Sequence, residues 1–198
     1  MKTLKIFKSI SLALILMAST LSFAQEMTMK KDKKMKMDTK MVGGAEMYPS
    51  KDIVSNAVNS KDHTTLVAAV KAADLVTILQ SEGPFTVFAP TNAAFDKLPK
   101  GTVESLLMTE NKEKLQSVLT YHVLAGKFSS QDLLKAIKKG KGKAELKTVQ
   151  GNVLKFMLSG DSIKIIDTNG NMSTVTIADV NQSNGVIHVI DTVVLPGM

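Results

Sequence analysis

The chain has 198 residues and no cysteine, and its 25 basic residues, all lysine, against 18 acidic ones give a formal net charge of +7. Without cysteine there is no disulfide framework, no thiol nucleophile and no cysteine to carry a lipid anchor. The excess charge sits at the N-terminal end: beyond Met41 there are 16 lysines and 15 acids, and with no arginine fork to read bases or phosphates, nucleic-acid binding is disfavoured.

Lys2, Lys5 and Lys8 precede an apolar run over residues 10–21, and Ser22-Phe23-Ala24 follows before Gln25. This is the pattern of a secretory signal peptide, so residues 1–24 are expected to be removed and the mature chain to start at Gln25. The apolar core is about a dozen residues, short of the roughly 20 a membrane-crossing helix needs. An uncleaved anchor is the alternative.

Residues 26–41 read EMTMKKDKKMKMDTKM, with no branched aliphatic and no aromatic residue. Such a segment cannot bury a core, so residues 25–45 are expected to form a disordered tail. Met27, Met29, Met35 and Met37 come in closely spaced thioether pairs suited to Cu(I). Six lysines repel a cation there, and no histidine lies nearby to complete a site. A basic spacer, able to hold the protein peripherally against an anionic membrane surface, is the favoured account of the tail. Val42-Gly43-Gly44-Ala45 reads as a flexible break, which places a single domain over residues 46–198.

Within that domain, residues 52–58 are expected to be helical. Asp62 is expected to cap a second helix running to about Leu79, whose Leu66, Val70 and Ala73 form an i, i+3, i+4 stripe. Gly83-Pro84 stops it, and residues 85–89 read as a strand. Pro90-Thr91-Asn92 turns into a helix presenting Ala93, Ala94 and Phe95 to the core. Residues 102–108 and 111–120 are expected to be helical and residues 121–124 extended. Ser129-Ser-Gln-Asp132 has the form of a capping box opening a helix with Leu133, Leu134 and Ile137. From Ala144 onward short β-prone runs alternate with turns, at residues 146–149, 153–158, 163–167, 174–178 and 186–195, and Asn169-Gly170 is a strong hairpin signal. Helices followed by strands predict an α+β domain. The run at 186–195 is expected to be a central strand covered on both faces.

Three segments stand out in order along the domain: Thr86-Val-Phe-Ala-Pro-Thr-Asn-Ala-Ala-Phe95, Tyr121-His122-Val123-Leu124 and Asn184-Gly-Val-Ile-His-Val-Ile-Asp-Thr-Val-Val-Leu-Pro196. Together they resemble the fasciclin (FAS1) domain family over roughly residues 47–196. The resemblance implies N-terminal helices packed on a twisted β-sandwich or wedge. In animal members of the family, integrin adhesion is assigned to the tyrosine-histidine motif and to an aspartate-isoleucine pair shortly before the Asn-Gly-Val-Ile-His stretch. The corresponding positions here are Tyr121, His122, Asp179 and Val180, with valine in place of isoleucine.

For chemistry the sequence offers little. His63, His122 and His188 are far apart and lie in no zinc spacing, and there is no nucleophile elbow, phosphate loop or dinucleotide fingerprint. His188 and Asp191 lie three apart on an expected strand, so they face opposite ways, and His188 is read as a hydrogen-bonded structural residue. No cofactor is expected and no enzymatic activity. The reading is a secreted, extracellular or periplasmic, non-catalytic binding module for a cell-surface or matrix protein or polysaccharide. Its contacts are expected on exposed loops near Tyr121-His122 and Asp179-Val180. The alternative is an extracytoplasmic carrier for a small apolar ligand, or for Cu(I) held by the methionine-rich tail.

Overall fold

The computed structural model describes residues 39–197. The signal peptide, residues 25–38 of the tail and the four methionines Met27, Met29, Met35 and Met37 lie outside these residues. At the expected break the chain is folded instead. β1 (Lys40–Val42) and β2 (Ala45–Met47) pair antiparallel around Gly43-Gly44. Both glycines have positive φ, +57° and +77°, the geometry of a two-residue hairpin turn that side chains resist. Val42 and Met47 are buried in the main core. Residues 40–45 are therefore part of the folded body, because a Gly-Gly pair serves a tight turn as readily as a loose linker.

The next segment carries seven short α-helices and two more strands: α1 (Ile53–Ala57), α2 (Thr64–Ala72), α3 (Val76–Leu79), β3 (Phe85–Pro90), α4 (Asn92–Phe95), α5 (Thr102–Leu107), α6 (Lys112–Tyr121), β4 (Val123–Ala125) and α7 (Ser130–Lys139). Asp52 caps α1 by accepting from the Ser55 N–H at 2.9 Å. The single helix expected from Asp62 to Leu79 is broken. Residues 61–63 form a 3-10 turn, and Asp74 adopts a left-handed conformation, φ +55°, that separates α2 from α3. Aspartate tolerates that conformation, and its carboxylate is held there by Lys112. Thr91 caps α4, and at α7 the Ser129/Asp132 capping box is present in full.

The rest is antiparallel sheet: β5 (Lys143–Lys147), β6 (Val153–Ser159), β7 (Ser162–Ile166), β8 (Met172–Gln182) and β9 (Gly185–Ile190). The spatial order is β4-β3-β9-β8-β7-β6-β5. Only β3 and β9 run parallel, in register from Phe85 opposite Gly185 to Pro90 opposite Ile190. Two register shifts in β8, between Val175 and Val180, bulge the strand and increase its twist. The sheet curls until the turn after β5 reaches β4, where the Val149 N–H donates to the Val123 carbonyl at 2.8 Å. This is the α+β arrangement that the order of elements predicts, with helices on the twisted β-wedge that the resemblance implies.

β3 and β9 separate two apolar clusters. On one face Val87, Ala89, Ile187 and Val189 pack against α1, α2, α4 and α6. On the other, Phe88 and Ile190 join Leu133 and Ile137 of α7 and Phe156 and Ile165 of the far strands. All six residues of β9 are buried, so the period-two alternation of side chains feeds both cores from one strand. The strand ends at Ile190, short of Leu195, but Val193 and Val194 stay buried beyond it.

Two outcomes follow for stability. A chain truncated at Gly185 is expected to be insoluble or to melt without cooperativity, as read by circular dichroism on heating. Ile190→Ala should lower unfolding free energy by roughly 2–5 kcal/mol, visible as a lower urea midpoint.

Candidate functional site

The residues singled out as adhesion contacts occupy different positions from those expected. Tyr121 is the last residue of α6 and His122 its C-cap, so neither lies on an extended segment. Both are buried, at 0% and 3% exposure. The Tyr121 hydroxyl donates to the Val153 carbonyl (3.0 Å) and accepts from the Thr168 N–H (3.2 Å). His122 Nδ1 lies 2.8 Å from the Val118 carbonyl, an acceptor, so it carries the proton, and Nε2 accepts from the Val194 N–H at 3.2 Å. The pair ties the end of α6 to the far sheet and to the chain after β9. Val180 is buried as well, at 1%. Three of the four residues are thus buried rather than on exposed loops: Tyr121 and His122 because a helix end inside a wedge is covered by the sheet that curls over it, and Val180 because its side chain on β8 packs in the main core.

Asp179 is the exception and remains half-buried. It sits on the β8 bulge with φ +57°, a conformation that aspartate adopts more readily than branched residues. Its carboxylate accepts from the Ser130 N–H at 2.7 Å and from the Ser130 hydroxyl, and Lys40 donates to the adjoining Ala178 carbonyl at 2.6 Å. Partial burial pushes the Asp179 carboxyl up, but the two Ser130 bonds outweigh it and hold it below the usual carboxylate range. The Asp179 N–H in turn donates to His188 Nδ1 (3.2 Å), while His188 Nε2–H donates to the Phe128 carbonyl (2.9 Å). His188 is a neutral, fully bonded ring stacked near Phe88. Asp191 is engaged elsewhere, accepting from the Thr174 N–H at 2.8 Å.

Other polar residues of the motif segments are likewise bonded within the fold. Asn184 Oδ1 accepts from the Ile53 N–H, and its Nδ2 donates to the carbonyls of Leu79 and Ser81, all within 3.0 Å. Asn92 accepts from the Thr65 N–H and donates to the Lys61 carbonyl. Thr86 donates to the Gly126 carbonyl and accepts from the Phe128 N–H. Among the described residues, no three histidine or acidic side chains stand close enough to share a metal ion, and no helix is long and apolar enough to cross a membrane.

A feature the sequence did not signal lies between α1, α2, α3, α6 and β3. It is an apolar cavity of about 80 Å³, lined among others by Ile53, Leu66, Val70, Phe85 and Val87. Ile78 and Val149, about half exposed, stand at its rim. Amphipathic stripes have the same spacing whether the faces they mark close fully or leave room between them, so only the packing reveals the space.

Burial lowers the pKa of all three histidines, His122 to about 4. A histidine depressed in the folded state binds its proton more readily when unfolded. Its contribution to stability is therefore complete above about pH 6.5 and is lost as pH falls toward 4. Urea unfolding is expected to show stability falling through that window, with His122 alone accounting for about 3 kcal/mol. In His122→Gln the slope of unfolding free energy against pH should flatten by the contribution of one proton.

The fasciclin domain family model matches residues 61–196. The protein sll1483 of Synechocystis sp. is 51% identical over 146 residues, spanning 74% of this chain and 74% of its own length. The immunogenic protein MPB70 of Mycobacterium bovis is 37% identical over 145 residues, 71% of this chain and 66% of that protein. Human periostin is 35% identical over 135 residues, 68% of this chain but 15% of periostin. Among solved structures, a FAS1 domain pair from the insect cell adhesion molecule fasciclin I superposes with a TM-score of 0.67 at 21% identity, covering 75% of this chain and 52% of that one, a likeness of fold. With a family match across most of its length and relatives well above 30% identity, the chain belongs to the fasciclin domain family.

Proposed function

We propose that the protein is a secreted, non-catalytic binding module that associates with a cell-surface or matrix protein or polysaccharide. The observation that carries this reading is the state of the motif residues. Tyr121, His122 and His188 have their polar atoms satisfied inside the fold, which leaves none of them free to take a proton from a substrate. Catalysis needs a base within reach of the reacting group. Asp179, partly exposed on its bulge, is the one member of the expected contact set whose side chain is not fully buried, and it is held there by Ser130 and His188. Membership of a family that includes an insect cell adhesion molecule supports the same reading.

The apolar cavity favours a second reading, an extracytoplasmic carrier of a small apolar molecule, since a concave, mostly apolar pocket is the ordinary setting of such sites. Copper capture by the tail rests on residues outside those described and gains nothing from the fold.

Asp179→Asn separates charge from fold, because asparagine tolerates left-handed backbone and still accepts from Ser130. In surface plasmon resonance against immobilised matrix proteins and in binding to intact cells, this variant is expected to bind about tenfold more weakly, ~1.4 kcal/mol, while keeping a cooperative melt. Unchanged binding would move the interface away from Asp179. Turnover of an ester or glycoside by the unaltered protein would overturn the non-catalytic reading.

A further inference from the structure

The cavity between the helices and β3 has one charged residue among the described residues that line it, Lys71 on α2. Lys71 is exposed and lines the cavity with its apolar stem, which leaves its ammonium in solvent within a side chain's length of the wall; the half-exposed apolar side chains Ile78 and Val149 also line it. No ion pair among the described residues involves Lys71. The nearest acid along the chain, Asp74, is paired with Lys112. The polar residues in the wall are bonded within the fold: the Thr120 hydroxyl donates to the Gln116 carbonyl, and both ring nitrogens of His122 are engaged. The interior thus offers a ligand only apolar contact, and the mouth offers one cation without a partner.

We propose that this cavity holds the hydrocarbon chain of a single-chain carboxylate amphiphile, a medium-chain fatty acid, with its carboxylate against Lys71. The proposal rests on the carrier reading and names its ligand class. A volume of about 80 Å³ corresponds to on the order of six waters' worth of space, enough for about six carbons of a single chain and too little for the paired chains of a membrane lipid. Burial of each methylene contributes about 0.8 kcal/mol, which makes chain length the main determinant of affinity. The cation adds selectivity for an anionic head group over a neutral or cationic one.

Titration calorimetry of the purified protein with decanoate and with decanol tests this. Both should bind, with decanoate about three- to fivefold tighter, the preference expected of a solvent-exposed ion pair. That preference should shrink at high salt, since an exposed pair is screened. In Lys71→Met the two ligands should bind equally, with decanol affinity unchanged. Val67→Trp, which adds bulk from a half-buried position on the cavity wall, should weaken both ligands while a cooperative melt is kept. Equal binding of the two ligands by the unaltered protein would overturn the assignment to Lys71 and leave the carrier reading standing. Absence of binding by either would overturn both.

Discussion

The structure depends on the burial of β9. A strand in the middle of the sheet, parallel to β3 on one side and antiparallel to β8 on the other, satisfies its backbone groups through both neighbours. Its side chains alternate between the helical face and the far-sheet face. Gly185 is required where the strand begins, because a Cβ there would run into the Phe85 carbonyl. Since β9 is also the last strand, the two cores cannot be completed until the end of the chain is in place, and a slip of one residue would exchange every side chain between faces.

Around that strand, a small number of buried polar side chains fix how the parts meet. Asn184 joins the β8–β9 turn to the start of α1 and the end of α3. His122 and Tyr121 join α6 to the far side of the wedge, and His188 joins the β8 bulge to the loop before α7. Asp167, buried, gathers the N–H groups of Asn169, Asn171 and Leu195. Each of these would be costly to bury without a partner, and each is partnered. The residue types that elsewhere perform chemistry are here joints of the scaffold.

Much of the architecture was legible along the chain. Turn residues between β-prone runs marked the strands, and the Ser129/Asp132 box marked the start of α7, because both signals act over a few residues. The departures arose where local chemistry fits two geometries. Gly43-Gly44 suits a linker or a tight hairpin, and only the burial of Val42 and Met47 selects the hairpin. The apolar stripe through Leu66 and Ile78 reads as one helix, but Asp74, held by Lys112 from α6, breaks it. Tyr121-His122 resembled the start of a strand, yet it closes a helix whose end the sheet covers.

By itself the sequence determined the α+β class and the central position of the last strand, since these follow from hydrophobic period and turn chemistry within short windows, while the family was legible in the three motif segments around Thr86, Tyr121 and Asn184. The tertiary structure alone decided which motif residues are buried, that Asp179 stands apart from Tyr121 and His122 in exposure, and that space remains between α2 and β3. Exposure and cavities depend on how distant segments approach one another, and the spacing of residues along a chain carries no record of that distance.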